Sequence, residues 1–344
     1  MNATDRRLRC VVRRARACVR ARAALRERCG VGGGDRVLVA LSGGADSTAL
    51  LLCAWAWSGG ANAPTLEGAV HVHHHLRGAE ADADADHCAR LCAQLGVPLQ
   101  VVHVHPTNGR SGIAASARRL RLAALERCAT EAGATAVLFA HHADDVLETL
   151  LMRLGRGTAH RGLALIPWTR PASAKSAVRF VRPALECTRV QLESLCHLCA
   201  VPWREDRSNW STRSARGWLR THITPLLRER WPRTAQHAVD AAGIARDGAW
   251  ALAQIASSVP WSLARIPRSV LREVGAERSA AILAFHPLLR DSGIAPRALR
   301  AVARAACDRE TRPRSFVDGT ARIEVRSRDL VMQGALADAP SRHE

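Results

Sequence analysis

The chain of 344 residues is long enough for two domains and a sizeable core, and with 4% aromatics and no Tyr that core has to be built from Ala, Leu and Val. Fifty basic against 31 acidic residues give +19, nearly all of it Arg, which favours a polyanionic partner, nucleic acid before a membrane surface, unless an arginine-rich coding bias supplies the charge. Eleven cysteines without a repeated spacing argue for a reducing, cytoplasmic compartment and against a disulfide scaffold, and with no run of eighteen apolar residues nothing spans a membrane.

Residues 1–30 hold ten arginines against Asp5 and Glu27 and no apolar segment of the secretory kind, so they are read as a basic surface helix, touching RNA or simply solvated. The next stretch organises the chain. Val37 to Leu41 has the length and branching of a strand buried on both faces, and Ser42-Gly43-Gly44-Ala45-Asp46-Ser47 follows it at once. Thr48 to Trp57 reads as a helix apolar almost all round. Strand, small-residue loop and helix amino end together make an anion site, because the free N–H groups and the helix dipole both favour negative charge. The loop G-x-x-x-x-G-K-[ST] is absent, with Lys175 the only lysine, and a dinucleotide fingerprint fails because Gly30, Gly32, Gly33 and Gly34 precede the strand.

After a loop near Gly59 to Pro64, a second strand is expected at Gly68–Val72, a helix at Ala79–Leu95 and a third strand at Leu99–His105. A helix over Ile113–Ala132, a fourth strand at Ala136–Ala140 and a helix over Asp144–Leu154 follow. This alternation predicts an α/β fold with a doubly wound parallel sheet and right-handed crossovers. His71, His73, His74 and His75, then His103 and His105, then His141 and His142 all fall at carboxyl ends of strands, the edge where such sheets bind ligands, although each alone could be an ordinary loop or core histidine. Asp144, Asp145 and Glu148 are spaced to share a helix face, suited to a phosphate-bound Mg²⁺ or to an amine, or else to an acidic first turn stabilised by the dipole.

Cys196 and Cys199 form one C-x-x-C on an amphipathic helix over Thr188–Ala200, so they are read as buried thiols and not a metal site. Arginines from Arg204 to Arg230 are interleaved with Trp203, Trp210, Trp218 and Trp231, a mix that stacks on unpaired bases, although tryptophans at this spacing are expected in the core. Beyond Pro232 the pattern changes to helices at Thr234–Ser257, Pro267–Leu283 and Pro296–Cys307, then a hairpin within 314–332. The expected division is a basic helix at 1–30, an α/β domain carrying the anion site at 31–230, a smaller mostly helical domain at 231–335 and a tail at 336–344, with the main boundary near 228–232.

The hexapeptide Ser42 to Ser47 after a strand resembles the pyrophosphate loop of the ATP pyrophosphatases, which cut ATP between the α and β phosphates. H-V-H-H-H-L-R at His71 to Arg77, A-S-A-R-R-L-R at Ala115 to Arg121, H-H-A-D-D-V-L-E-T from His141 and R-G-L at Arg161 to Leu163 follow in order. With Arg182-Pro183, Pro202 to Asn209, and Arg213, Arg216 and Arg220 before Pro225, the ordered set resembles tRNA(Ile)-lysidine synthetase from about Arg36 to Leu227. That resemblance implies an adenine nucleotide alpha hydrolase-like domain followed by a helical tRNA-binding one. It implies a ligase that uses ATP and Mg²⁺ to adenylate C2 of the wobble cytidine in the CAU anticodon of tRNA(Ile), then joins L-lysine there and releases AMP. By the same resemblance Ser42, Gly43, Gly44, Ala45, Asp46 and Ser47 hold the ATP phosphates, with Asp46 near the Mg²⁺. Asp144, Asp145 and Glu148 receive the amine or metal, His141 sits by the transferring phosphoryl group, and Arg118, Arg121, Arg213, Arg216 and Arg220 contact tRNA. No membrane partner is implied, and oligomeric state stays open, a homodimer among the options.

The chain departs from the family pattern at His73 for Asp, His75 for Gly, Ala114 for Glu, Leu122 for Tyr, and Gly217 and Trp218 for Asn and Arg, which bears on lysine placement and anticodon contacts more than on ATP. Two other readings stay open: another pyrophosphate-loop tRNA enzyme such as a thiolase, and a two-metal hydrolase built on the histidines and the Asp-Asp pair.

Overall fold

A computed structural model describes residues 3–108, 112–158, 160–205, 212, 214–258, 265–284, 286, 289, 294–308, 313–318 and 321–333. Two compact units emerge, one of 1–149 with 166–239 and one of 150–165 with 240–344. No helix among the described residues is long and apolar enough to cross a membrane.

The first unit opens with α1 (Ala3–Arg14) and α2 (Arg16–Glu27). The expectation of a solvated basic helix is corrected here. Ala17, Cys18, Ala21, Ala24 and Leu25 of α2 recur at helical spacing and are buried, so one stripe of each turn belongs to the core while the arginines between them stay outside. Strand β1 (Arg36–Ala40) leads into α3 (Ala45–Trp57), then come β2 (Thr65–His73), α4 (Ala79–Leu95), β3 (Leu99–His103), α5 (Gly112–Glu131), β4 (Ala136–Leu138) and α6 (Ala143–Arg156). After α7 (His160–Leu163) the chain forms β5 (Thr169–Pro171), β6 (Arg179–Val181), α8 (Arg189–Leu198), α9 (Ala215–Trp218), a π-helical turn over Leu219–Ile223, α10 (Thr224–Arg230) and α11 (Thr234–Ser258).

The sheet runs β3-β2-β1-β4-β6-β5, parallel except for the edge pair β5–β6. The doubly wound sheet expected from strand–helix alternation is therefore present. From β1 the chain builds outward through β2 and β3, then crosses back to place β4 on the other flank of β1. The order thus reverses between β1 and β4, and a crevice opens at their carboxyl ends. Helix α3 sits behind that point. Ala45 and every residue from Ser47 to Trp57 are buried, which is why the segment carries no polar stripe. Its cluster takes in Val12 of α1, Ala17, Cys18, Ala21 and Leu25 of α2, and Leu192, Leu195 and Cys196 of α8.

Gly68 marks a tight approach. The β1–β2 register slips between Val37 and Leu38, and Ala69 N–H donates to Pro98 O at 2.8 Å. A Cβ at Gly68 would lie 2.6 Å from Pro98 O. Gly68→Ala is expected to cost about 1–3 kcal/mol, read as a lower urea midpoint with an unchanged slope; an unchanged midpoint would mean that the turn yields freely.

The second unit contains α7, α11 from Asp240 onward, α12 (Arg268–Val274), α13 (Ala276–Leu283), α14 (Pro296–Cys307) and the strands β7 (Arg265–Pro267), β8 (Arg314–Asp318), β9 (Ala321–Val325) and β10 (Asp329–Gln333). The strands form an antiparallel sheet, β7-β10-β9-β8. The hairpin expected within 314–332 is β8–β9, and the sheet continues beyond β9 through β10 to β7, neither of which the sequence pattern marks. The single helix expected over Pro267–Leu283 is two, because Gly275 takes φ +82° and breaks the run.

Candidate active site

The loop after β1 is built by its own small residues. Leu41 N–H still donates to Val70 O at 2.9 Å, and then the chain leaves the sheet. Gly43 takes φ +86°, a region open to glycine, and Gly44 is the N-cap of α3 without a side-chain cap, so the helix end presents bare N–H groups. Ser47 braces the turn: its Oγ accepts from Ser42 N–H at 3.1 Å and donates to Gly44 O at 3.1 Å. Its one proton is thereby used, so the 3.0 Å contact between the two hydroxyls has Ser42 Oγ–H as donor. Arg204 N–H donates to Gly43 O at 2.9 Å, and the Arg204 guanidinium joins Arg77 on the Asp84 carboxylate, tying the loop to α4.

The crevice beside β1 is a pocket of about 480 Å³. Val70, Val72, Leu125 and Phe139 give it an apolar wall, while Ser42, Asp46, Ser47, His141, His142, Asp145, Arg118, Arg121, Arg216 and Arg220 face it from the other sides. An apolar slot meeting a nest of N–H groups and cations suits a flat heterocycle carrying phosphates.

His142 is the centre of the polar network. Its Nε2 lies 3.4 Å from Asp46 Oδ2 and 3.6 Å from Asp145 Oδ2, and its Nδ1 lies 3.5 Å from Asp144 Oδ2. Burial opposes its charge, but Asp145, Asp46 and Asp144 outweigh burial and hold the imidazole well above its ordinary value of 6.5. His141 behaves oppositely: burial among Arg182 and Arg121 pushes it down to about 4 against the pull of Asp145, so it is neutral at pH 7. Asp145 also closes the start of α6, since its Oδ2 accepts from His142 N–H at 3.1 Å. Despite burial it is held below the usual carboxylate range by His142, His141 and Arg216.

The structure separates the carboxylates that the sequence grouped. Asp46 and Asp145 reach the pocket. Asp144 lies behind it, 1% exposed, accepting from Arg189 N–H at 2.7 Å and from Arg228 Nη2 at 2.6 Å. Glu148 is also 1% exposed, gripped by Arg220 through Nε at 2.8 Å and Nη2 at 2.9 Å, with Arg216 Nε 3.4 Å away. Against its own desolvation, Arg220 is raised by Glu148, Asp145 and Asp46, the mark of a bidentate ion pair. The π-helical turn widens the backbone at Arg220, and Arg216 is further fixed by donating to Thr149 Oγ1 at 3.1 Å.

Arg118 and Arg121 stand on the pocket wall; Arg213 lies outside the described residues. The tryptophans expected in the core divide. Trp203 packs partly against it, Trp218 and Trp231 are exposed, and Trp210 lies outside the described residues. Cys196 is buried, donating to Ala45 O at 3.5 Å, and burial pushes its thiol up to about 12, as a buried thiol should behave. The sequence reading missed Arg228 as the partner of Asp144 and His71 as a strut, its Nδ1 3.0 Å from Leu41 O. No local pattern marks either pairing.

The network has a pH signature. Raised in the folded chain, His142 contributes stability that is complete below about 6.5 and is lost as pH rises through its higher folded value. Asp144 is held low by His142, Arg189 and Arg228 despite burial, so its contribution is present above its ordinary value of 3.8 and fades as pH falls through its lower folded value. His142→Gln is expected to flatten the fall in urea stability as pH rises above about 6.5 and, because His142 also helps hold Asp144 low, to make the acid limb shallower as well. An alkaline limb identical in both proteins would remove His142 as its source.

A sequence profile described as the PP-loop domain matches residues 19–227. Three proteins named tRNA(Ile)-lysidine synthase are similar to this chain. That of Ralstonia nicotianae is 40% identical over 220 residues, 62% of this chain and 46% of its own length. Those of Xanthomonas campestris pv. campestris and Pseudomonas aeruginosa are 42% and 36% identical over 219 and 259 residues, covering 61% and 71% of this chain and 48% and 57% of theirs. The chain thus spans about half the length of the curated relatives it matches. Among solved structures, the U34-tRNA thiolase NcsA from Methanococcus maripaludis with its 4Fe-4S cluster aligns with a TM-score of 0.57 at 18% identity, over 68% of this chain and 79% of that one, a likeness of fold.

Proposed function

The chain belongs to the PP-loop domain family, and from that premise we propose that it is an ATP-dependent ligase that adenylates the wobble cytidine of a CAU-anticodon tRNA and joins lysine to it. The observation that carries the reading is the convergence, in one pocket at the sheet's switch point, of Ser42, Asp46 and Ser47 of the loop, His141, Asp145 and five arginines. In that reading the loop amides and the α3 dipole hold the phosphate tail, and the apolar wall takes the adenine. Asp46 suits a cation there, because its Oδ1 is buried without a hydrogen-bond partner while its Oδ2 faces His142. A Mg²⁺ held by Asp46 and the phosphates would neutralise charge on the nucleotide.

The chemistry follows in two displacements. The cytidine C2 oxygen attacks the α-phosphorus, the bond to the bridging oxygen breaks and pyrophosphate leaves. The lysine amine then attacks C2, and AMP departs with that oxygen. Arg118, Arg121, Arg216 and Arg220 supply fixed positive charge where negative charge gathers in the first step. Neutral His141 offers a nitrogen lone pair without adding charge, and Asp145 is the carboxylate open to an ammonium group. Glu148 and Asp144 act from behind, through Arg220 and through α8 and Arg228, to hold this face in place. That occupancy disfavours a two-metal hydrolase, which would need Asp144 as a ligand. Exposed Trp218 and Trp231 among arginines are the stacking surfaces expected of an RNA binder.

Incubating the full chain with ATP, labelled lysine and CAU-anticodon tRNA tests the reading. AMP and labelled tRNA should accumulate together, and AMP without lysine transfer, or neither product, would reject it.

A further inference from the structure

Outside the pocket's polar network, a group of histidines closes the carboxyl ends of the two strands on one flank of the sheet. His73 and His103 are the last residues of β2 and β3 and face each other in register, which sets their side chains on neighbouring strands. His75 follows two residues later with φ +54°, a left-handed turn that swings its ring back over the strand ends. The result is a compact trio. The His73 and His75 rings are 4.1 Å apart, His73 and His103 5.1 Å, and His75 Nε2 faces His103 Nδ1 at 2.9 Å. One nitrogen from each of the three lies within 4.8 Å of the others.

Two further observations point to a ligand. His73 is 2% exposed, yet neither of its ring nitrogens makes a hydrogen bond. Its Nε2 lies 3.1 Å from Asp82 Oδ1 without the alignment of a hydrogen bond, so a carboxylate stands beside the ring where one supports a ligating imidazole. His105 stacks on His75 at 4.6 Å and an interplanar angle of 14°, steadying one of the two exposed members.

We propose that His73, His75 and His103 form a binding site for a divalent transition-metal ion of the zinc class, held by three imidazoles with Asp82 behind the first. Nitrogens bound to one zinc at about 2.0–2.1 Å stand roughly 3.3 Å apart in a tetrahedron, so a small opening of the His75–His103 gap admits the ion. Imidazole ligands select zinc, copper or nickel over Mg²⁺, which prefers oxygen, so this site does not compete for the ion that accompanies ATP. The inference is independent of the proposed ligase activity, since it rests on residues that line up at β2 and β3 and not on the phosphate loop.

The test uses the tag-free full chain, stripped with chelator and titrated with Co²⁺, whose visible ligand-field bands report a nitrogen-rich site of low coordination number. One equivalent of Co²⁺ should produce the bands and one equivalent of Zn²⁺ should abolish them. His75→Gly, which glycine's backbone freedom makes benign at φ +54°, and His103→Gln should each weaken binding at least tenfold with unchanged urea midpoints in chelator, and Asp82→Asn about tenfold. Cys10→Ser, which removes an exposed thiol, should leave the titration unaltered. Absence of the bands, their survival in the His75→Gly/His103→Gln double variant, or their loss in Cys10→Ser would each overturn the proposal.

Discussion

Asp46→Asn should reduce AMP formation by roughly 10²–10³-fold or more, with tRNA affinity unchanged within about twofold. The substitution keeps the shape of the side chain but removes its charge at the mouth of the 42–47 loop, where Oδ1 is buried and unpaired. It also takes one of three carboxylates away from His142, so the positive charge beneath the loop weakens together with the negative charge above it. Neither change touches Arg118 and Arg121 on the opposite wall or the exposed Trp218 and Trp231. Quench assays for AMP and filter binding for tRNA read the two effects separately. Loss of both in equal measure would mean that the loop is a structural turn.

Arg220→Met should be the more damaging change to the fold. Glu148 is 1% exposed, and without the Arg220 fork it is left with Arg216 Nε at 3.4 Å. Removing one partner of a buried pair typically costs about 3–5 kcal/mol, because the remaining charge stays desolvated. Since both oxygens of Glu148 are engaged by the fork, the double variant Arg220→Met/Glu148→Gln should recover part of that loss, and urea unfolding of the four proteins in the cycle measures the coupling. Additive effects would show that the two side chains do not depend on each other. AMP formation should remain low in the double variant as well, because Arg220 also supports Asp145 at 3.6 Å on the pocket floor.

The elements legible in the sequence are those whose signal is local. The run Val37 to Leu41, the glycines that follow it and an unbroken apolar helix each impose their conformation within a few residues, and the alternation of strands with helices does the rest. The arginines of Ala115–Arg121 carry no such local signal; the family resemblance alone singles them out, and Arg118 and Arg121 line the pocket. Asp144 and Glu148 show the limit. Helical spacing groups them with Asp145, yet whether a carboxylate faces a pocket or is consumed behind it depends on Arg228 and Arg220, residues 84 and 72 positions away. The stripe in α2 was masked by its arginines, which dominate the composition while small residues carry the packing. The strands β7 and β10 are short or lie past the hairpin, where periodicity has little length in which to register.

The enclosure of α3 has a consequence for how the protein comes into being. Its walls are supplied by α1 and α2 at the start of the chain and by α8 near residue 198, so the last wall is synthesised about 140 residues after the helix itself. A nascent chain still lacking that stretch leaves Leu50 to Trp57 facing solvent on one side. Completion of the core behind the pocket beside β1 is therefore a late event in synthesis.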